Sequence, residues 1–220
     1  MQKKSFKAFF HRLFPLRLLL PWIFFWKGQR AKLSGTYGWA RSLRHLMPLD
    51  QDGRPIPWIP YAAVSFLSGR LTPELTVLEL GSGYSTLWFM GRVARVVSLE
   101  HNEKWLAWMR ERVGPNVNLI STAGGTPDTY LAPLRGTRER FDLILIDGIH
   151  RIDAFQAALQ ILTPSGVIVL DDSHRPSYGL VFIEAAKAGM RRLDFEGHKA
   201  ASVNLYRTTV FYRDGNCLGI

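Results

Sequence analysis

The chain has little cysteine and, over its first 49 residues, no acidic residue. Both absences restrict the classes of protein to which it can belong. The single cysteine, Cys217, has no partner for an internal disulfide, so a reducing compartment is allowed. Residues 1–49 hold ten Lys or Arg and no Asp or Glu, whereas the remaining residues carry eighteen of each sign. The net charge of +10 therefore belongs to the N-terminal part. The remaining residues have no excess of positive charge that would bind the phosphates of a nucleic acid, so we expect no nucleic-acid partner.

Long apolar runs are also missing. In residues 1–32 the longest uncharged stretch, residues 18–26, has nine residues, which is too short for a bilayer span of about 20 residues. The same region lacks the small-residue cleavage site of a secretory signal. Its basic, Leu-, Phe- and Trp-rich composition indicates either a segment lying on an anionic membrane surface or an arm that packs on the domain or on a second subunit. A transport signal is a third alternative.

Residues 33–72 and 73–220 differ in pattern, and we interpret them as a helical lead-in and one α/β domain. Glycines and prolines divide the lead-in into helices predicted over 39–46 and 61–71. Between these helices, residues 57–61 read Pro-Trp-Ile-Pro-Tyr. This rigid aromatic turn either lines the mouth of a ligand site or covers the edge of the sheet.

The stretch 77–100 carries the strongest signal in the chain. A buried strand ends in Gly81-Ser82-Gly83, a helix follows, and a second strand ends in Glu100. The glycines let the backbone approach a ligand closely. An acid about 20 residues further on, at the tip of the neighbouring strand, accepts hydrogen bonds from ribose hydroxyls.

The turn departs from the dinucleotide-binding fingerprint. Bulky Tyr84 follows the second glycine, and Thr86 stands where a third glycine is expected. Glu79, just before the turn, repels phosphates but suits a ligand that carries an ammonium and a sulfonium. At these residues the chain resembles the class I S-adenosylmethionine-dependent methyltransferases, whose first motif is E-x-G-x-G-x-G/S, with Ser85 as its last residue. The resemblance implies that S-adenosylmethionine is bound by Glu79, Gly81, Ser82, Gly83, Tyr84, Ser85, Glu100 and Asp147.

The remaining elements complete an α/β pattern. Further strands are predicted over 117–120, 141–146, 166–170, 190–195 and 203–212, and helices over 103–113, 153–162 and 176–188. The last two strands have a short connection and should therefore be antiparallel. The resemblance implies a Rossmann-like, seven-stranded doubly wound sheet with an antiparallel C-terminal hairpin, here preceded by an N-terminal helical arm.

Acidic side chains follow the fourth and fifth strands, at the edge where an open parallel sheet binds ligands. Asp147 follows the fourth strand, and Asp171 and Asp172 follow the fifth. Mg²⁺ takes such carboxylate oxygens, and the three acids resemble the metal site of catechol-type and sugar- or macrolide-type O-methyltransferases. The resemblance implies that they hold a divalent metal that activates a hydroxyl. Alternatively, Asp172 or Ser173 caps the next helix and the fourth-strand acid binds no metal.

His150 and His174 each lie three residues beyond the first acid of their strand tip. Histidine titrates near neutral pH and is a candidate general base. Resemblance to methyltransferases with an Asp-Gly-x-His tip implies the same role. Ile149 departs from the sugar-type pattern, which has an acid there, so Asp147, His150 and His174 all remain candidate catalytic residues. A structural role is the alternative for either histidine.

We expect from this resemblance an enzyme that transfers a methyl group from S-adenosylmethionine to a hydroxyl of a small molecule or glycan. The alternatives are transfer to nitrogen or protein, and a catalytically silent cofactor-binding module held at a membrane. The expected location is the cytoplasm, with the arm in peripheral contact with the inner membrane face or with a second copy of the chain.

Overall fold

Seven strands and the helices around them make up the computed structural model, which describes Lys27 and residues 35–220. In chain order the elements are α1 (Trp39–His45), α2 (Tyr61–Ser68), β1 (Thr76–Leu80), α3 (Tyr84–Met90), β2 (Arg95–Glu100), α4 (Glu103–Arg110), β3 (Val117–Ser121), α5 (Pro127–Tyr130), β4 (Phe141–Ile146), α6 (Arg151–Ile161), β5 (Leu162–Leu170), α7 (Gly179–Lys187), β6 (Arg191–His198) and β7 (Leu205–Tyr212). Short 3₁₀ helices, Ala132–Leu134 and Pro176–Tyr178, precede β4 and α7.

The strands form one sheet in the order β3-β2-β1-β4-β5-β7-β6. The first five strands pair in parallel, and β7 pairs antiparallel with both β5 and β6. The direction of winding reverses between β1 and β4, which leaves a crevice beyond their carboxyl ends where such folds bind ligands. The structure confirms the predicted Rossmann-like seven-stranded sheet with its antiparallel C-terminal hairpin.

Helices cover both faces of the sheet because its central strands are apolar on both faces. Successive side chains of a strand point to opposite faces. Accordingly, Val77 and Leu143 belong to one buried cluster, and their neighbours Leu78 and Ile144 belong to the other. α2 and α3 contribute to the first cluster, while α6 and α7 contribute to the second. This explains the uninterrupted apolar runs of β1 and β4.

The helices differ from prediction mainly at their ends. The helix predicted over 103–113 ends at Arg110, and the one predicted over 176–188 begins with a 3₁₀ turn and becomes α-helical only at Gly179. α5 and the 3₁₀ helix after it have no counterpart in the sequence-based expectation. Helices this short bury few residues, so they leave little apolar periodicity to detect.

Two strands exceed their predicted bounds by more than one residue. β5 begins at Leu162 and not at residue 166. The register between β4 and β5 shifts between Phe141 and Leu143, which accommodates the additional β5 residues as an irregularity of the ladder. β6 extends to His198, so the loop predicted over 196–202 is shorter than expected.

Two indole hydrogen bonds join the lead-in to the domain. Trp39 Nε1 donates to Ser202 O at 2.9 Å, and Trp58 Nε1 donates to Ala200 O at 2.7 Å. Ile59 is buried in the same cluster as α3. The lead-in therefore shares the core of the domain and lies against the loop between β6 and β7; the predicted domain boundaries stay a prediction.

The arm predicted over residues 1–32 lies outside the described residues, apart from Lys27. Among Lys27 and residues 35–220, the structure shows no helix with the length and apolarity to cross a bilayer. The alternative interpretations of the arm therefore stay predictions.

The tips of β1 and β4 approach so closely that a glycine is required between them. Gly81 has a φ of +103°, and a Cβ there would lie 2.8 Å from Gly148 Cα. Gly81→Ala combines a left-handed conformation with a backbone clash, so we expect the free energy of unfolding to fall by about 3 kcal/mol.

Gly91→Ala is the matched control, because its φ is −87° and a Cβ there would have no atom within 4 Å. We expect its free energy of unfolding to change by less than about 1 kcal/mol. Urea unfolding of both variants measures these changes. A Gly81→Ala protein as stable as Gly91→Ala would contradict the close approach of the two tips.

Candidate functional site

A cavity of about 600 Å³ opens at the carboxyl ends of β1, β2 and β4. Small-molecule sites have volumes of about 300–1,000 Å³, so the cavity has the size for a cofactor. The carboxyl ends of the strands contribute the turn after β1 (81–85), the end of β2 and the residues beyond it (100–102), and the residues after β4 (147–149). Trp105 of α4 and the lead-in residues 46–48 and Trp58 complete the lining. One cavity thus combines the predicted cofactor turn with part of the aromatic lead-in.

The turn after β1 presents bare backbone to this cavity. A Cβ at Gly83 would meet only Ser85 Oγ, at 3.9 Å, so the missing side chain leaves room for a ligand. The turn is held by Trp105 Nε1, which donates to Ser82 O at 2.8 Å, and by Gly83 N, which donates to Thr86 Oγ1 at 2.9 Å. These contacts fix the turn without filling the cavity.

Glu100 is buried where it borders the cavity, and its carboxylate is held on both oxygens. Its Oε2 accepts hydrogen bonds from Ser82 N at 3.1 Å and Ser82 Oγ at 3.0 Å, and its Oε1 accepts one from Asn102 N at 2.8 Å. A carboxylate has about four acceptor sites. Three of these sites are used, so Glu100 can accept about one further hydrogen bond, from a ligand hydroxyl such as that of the predicted ribose.

Glu79 lies beneath the turn and not on the cavity wall. It is fully buried, and its Oε2 accepts hydrogen bonds from Ser98 Oγ at 2.9 Å and from Thr86 Oγ1. Its Oε1 has no partner among the described residues. Burial raises the pKa of Glu79 to about 7, against the opposing effect of hydrogen bonds from neighbouring hydroxyls. The structure thus places this predicted contact one layer below the ligand space.

Asp147 lies on the cavity wall, with 28% of its side chain exposed. Arg151 Nη2 donates to Asp147 Oδ1 at 2.9 Å and to Asp147 O at 2.8 Å. The same buried guanidinium donates to Gly148 O at 2.9 Å and to Asp171 O at 2.6 Å, which joins the tips of β4 and β5. Burial raises the pKa of Asp147 well above its ordinary value, and the negative charge of Asp171 adds a smaller effect in the same direction. The positive charge of Arg151 lowers this pKa but does not cancel the increase.

Lys199 lies between the two acids that follow β5. Its Nζ is 3.3 Å from Asp172 Oδ1 and 3.8 Å from Asp171 Oδ2. Asp172 also pairs with Arg175, and Asp171 accepts a hydrogen bond from Thr208 Oγ1 at 2.6 Å. Burial raises the pKa of Asp171. It would also raise the pKa of Asp172, but Lys199 and the neighbouring arginines outweigh burial and lower it.

This donor set does not fit the predicted metal site. Arg151 pairs with Asp147, and Lys199 pairs with Asp171 and Asp172, so cationic side chains occupy the positions from which a divalent ion would bind these carboxylates. Within residues 35–220, no group of three His, Cys, Asp or Glu side chains is arranged to hold a metal ion. The predicted Mg²⁺ site is therefore not supported.

Neither predicted histidine base lines the cavity. His150 begins α6 with a φ of +52°, and its Nε2 is 3.2 Å from Gly124 O. His174 is exposed, and its Nδ1 accepts a hydrogen bond from Arg207 N at 3.4 Å. Of the histidines near the strand tips, His101 is the one on the cavity wall.

Comparisons with known proteins agree with this geometry. Residues 78–173 match a family described as a methyltransferase domain, and no curated protein sequence matches the chain. Similar solved structures include an O-methyltransferase from Bacillus cereus in complex with SAH (21% identity, covering 66% of this chain and 78% of that chain, TM-score 0.55). A methyltransferase from Pyrococcus furiosus is also similar (16% identity, covering 84% of this chain and 98% of that chain, TM-score 0.53). So is the precorrin-6y C5,15-methyltransferase from Geobacter metallireducens (19% identity, covering 74% of this chain and 89% of that chain, TM-score 0.51).

The matched domain spans the turn after β1, Glu100 and all three acids of the strand tips. Together with the seven-stranded sheet, this match supports a methyltransferase domain in this chain. The resemblance inferred from the glycine turn is thus supported for methyltransferases in general, and its metal-dependent branch is not confirmed.

The structure brings most of the predicted site residues together and adds others. The turn residues 81–85, Glu100 and Asp147 share one cavity, while Glu79, Asp171, Asp172, His150 and His174 do not line it. Sequence reasoning missed Arg151 and Lys199. Arg151 follows Asp147 by one helical turn, a spacing that favours ion pairs and could have indicated it; no sequence signal marks Lys199.

The raised pKa of Glu79 predicts how stability depends on pH. Its pKa of about 7 in the folded state exceeds the ordinary value of 4.5. The proton on Glu79 therefore stabilises the fold fully below about pH 4.5, and this contribution is lost as the pH rises through about 7. Glu79→Gln removes the titration.

We expect the unfolding free energy of the wild type, relative to Glu79→Gln, to fall by about 3 kcal/mol between about pH 4.5 and 8. Urea titrations of both proteins over this pH range measure the difference. Glu103→Gln, at an exposed acid of α4, is the control and should show no comparable trend. A pH-independent difference for Glu79→Gln would contradict the raised pKa.

Glu100 should dominate recognition of the ribose. Losing a hydrogen bond to a charged acceptor costs about 1.5–3 kcal/mol, so we expect Glu100→Ala to weaken S-adenosylmethionine binding at least about tenfold. Calorimetric titration measures this, with Glu103→Ala as the control and circular dichroism to verify folding, because Glu100 also holds Ser82 and Asn102. Unchanged affinity, or tighter binding of NAD by the wild type, would refute the assignment.

Proposed function

We propose that the enzyme transfers the methyl group of S-adenosylmethionine to a hydroxyl oxygen of a small molecule with an apolar or aromatic body. The observation that carries this proposal is the position of Asp147. This carboxyl, with its raised pKa, lies on the wall of the same cavity as the cofactor turn. The similar fold of the Bacillus cereus protein, named an O-methyltransferase, supports a hydroxyl acceptor.

The residues around the turn fit S-adenosylmethionine. Gly83 leaves room against the backbone, Glu100 offers carboxylate oxygens to ribose hydroxyls, and Tyr84 and Trp105 offer aromatic surface on the cavity wall. The carboxyl of Glu79 beneath the turn, in its ionised form, favours a positively charged ligand over an anionic one. When bound, S-adenosylmethionine supplies an electrophilic methyl group on a sulfonium.

Asp147 is the group best placed to take the proton of the acceptor hydroxyl. Arg151 bonds Oδ1 and fixes the carboxyl, while Oδ2 accepts no hydrogen bond from the described residues. Proton transfer to Oδ2 leaves the hydroxyl oxygen with an electron pair for bond formation to carbon. A raised pKa makes this carboxylate a stronger base than an ordinary aspartate.

The other side chains of the cavity favour an apolar acceptor. Leu46, Met47, Trp58 and Ile149 contribute to its wall and carry no charged group. Glycan recognition uses many polar partners, whereas apolar pockets with a few polar groups suit compact ligands with hydrophobic surface. We therefore favour a small molecule over a glycan.

Asp147→Asn tests the proposal. We expect this variant to retain cofactor binding and to lose transfer by about a hundredfold or more, because an amide cannot act as the base. Labelled S-adenosylmethionine, supplied with small-molecule, lipid, glycan and protein fractions of a cell extract, identifies the acceptor by mass spectrometry and gives the rate. Asp153→Asn, at an exposed position of α6, is the matched control.

The pH profile separates a base from a structural role. The wild-type rate should fall as the pH falls through the raised pKa of Asp147, and the residual activity of Asp147→Asn should lack this dependence. Full activity in the variant would refute the role of Asp147. Label on nitrogen or protein would refute the acceptor class, and loss of transfer in EDTA with recovery in Mg²⁺ would reinstate the metal.

A further inference from the structure

Exposed apolar side chains are concentrated on the lead-in, where three of them line the cavity, and on the loop and strand start that follow β6. Among the described residues, large hydrophobic side chains are exposed at eight positions, and only Leu180 and Ile183 lie elsewhere, on α7. The other six form what we call the apolar rim: Leu43, Leu46, Met47, Trp58, Val203 and Leu205. Leu46 and Val203 are 75% and 73% exposed. A concentration of this kind marks an interaction surface, whereas single exposed apolar residues do not.

The rim is one structural unit although it comes from two parts of the chain. The indole bonds of Trp39 to Ser202 and of Trp58 to Ala200 hold the lead-in against the loop that carries Val203. Leu46, Met47 and Trp58 also line the cavity. Whatever covers the rim therefore lies across the entrance used by the acceptor.

The charge next to the rim favours an anionic partner. α1 carries Arg41, Arg44 and His45 and has no acid. Of the acids that follow it, Asp52 pairs with Arg54 at 3.1 Å, and Asp50 Oδ1 accepts hydrogen bonds from backbone amides of its own loop. In sequence, α1 lies within the first 49 residues, which hold ten Lys or Arg and no acid.

We propose that the apolar rim inserts into the interfacial layer of an anionic lipid bilayer, so that the cavity opens toward the membrane. Trp favours this layer, and exposed Leu, Met and Val gain from burial in it, while flanking bases are attracted to anionic headgroups. The inference requires no particular acceptor atom and does not depend on Asp147. A protein partner on the same surface is the competing outcome of the test.

An environment-sensitive dye placed on the rim tests this in the full-length chain. Val203→Cys and Leu180→Cys, each in a Cys217→Ser background, are labelled with nitrobenzoxadiazole; both native side chains are exposed and apolar, but only Val203 is on the rim. With vesicles of phosphatidylcholine and phosphatidylglycerol, we expect the emission at position 203 to shift to the blue and rise at least about twofold, with no change at position 180. Pure phosphatidylcholine should produce much less change.

Charge substitutions give a second, independent measurement. Leu205→Asp and Leu180→Asp alter side chains of matched exposure, 58% and 57%, on and off the rim. We expect Leu205→Asp to lower vesicle binding at least about tenfold and Leu180→Asp to leave it within about twofold. Circular dichroism verifies that both variants are folded.

Three outcomes would overturn the proposal. Binding to vesicles with no spectral change at position 203 would show that other residues bind the lipid. Equal changes at positions 203 and 180 would show adsorption without orientation. A protein that does not bind anionic vesicles, but shows the spectral change at position 203 on self-association in sedimentation experiments, would make the rim a protein interface.

Discussion

The arrangement of the site depends on one buried guanidinium. Arg151 donates four hydrogen bonds, to Gly148 O, Asp171 O, and both the backbone and the side chain of Asp147. It thereby connects the loops that follow β4 and β5, next to the backbone hydrogen bond from Asp171 N to Ile146 O at 3.1 Å. Removing one member of a buried ion pair costs about 3–5 kcal/mol, because the other charge is left without a partner. Arg151 therefore both joins the two loops and orients the carboxyl of Asp147 on the cavity wall.

The positions of the cations distinguish Asp147 from the two acids beside it. Lys199 lies against both Asp171 and Asp172 and, with nearby arginines, lowers the pKa of Asp172. Asp171 is almost completely buried and bonded to Thr208. Asp147 alone combines a raised pKa with exposure to the cavity, as a base requires. In sequence the three acids look alike, because the side chains that differentiate them come from α6 and from the loop after β6.

Sequence patterns predicted the sheet because its central strands are continuous apolar runs, and they predicted the edge where the cavity opens because the glycines follow one strand and Glu100 ends the next. They did not predict where helices end, since caps and 3₁₀ turns depend on local contacts. Glu79 was expected against the ligand, yet its position on a strand buried on both faces places it beneath the turn. Lys199 depends on the antiparallel pairing of β6 with β7 and on a bridge to Pro60, neither of which leaves a local signal.

The lead-in connects the exposed rim to the acid cluster through a single loop. Trp58 lines the cavity and bonds Ala200, and the adjacent Lys199 reaches Asp171 and Asp172. The four residues 199–202 accept the indole hydrogen bonds of the lead-in and also supply the Lys199 ion pair with Asp172. A shift of the rim must therefore move the part of the cavity wall formed by Trp58 and change the ion pairs of the strand tips together. The cofactor strands make none of these contacts. Acceptor choice should accordingly reside in the lead-in and the hairpin loop, which can vary without disturbing the sheet that carries the glycine turn.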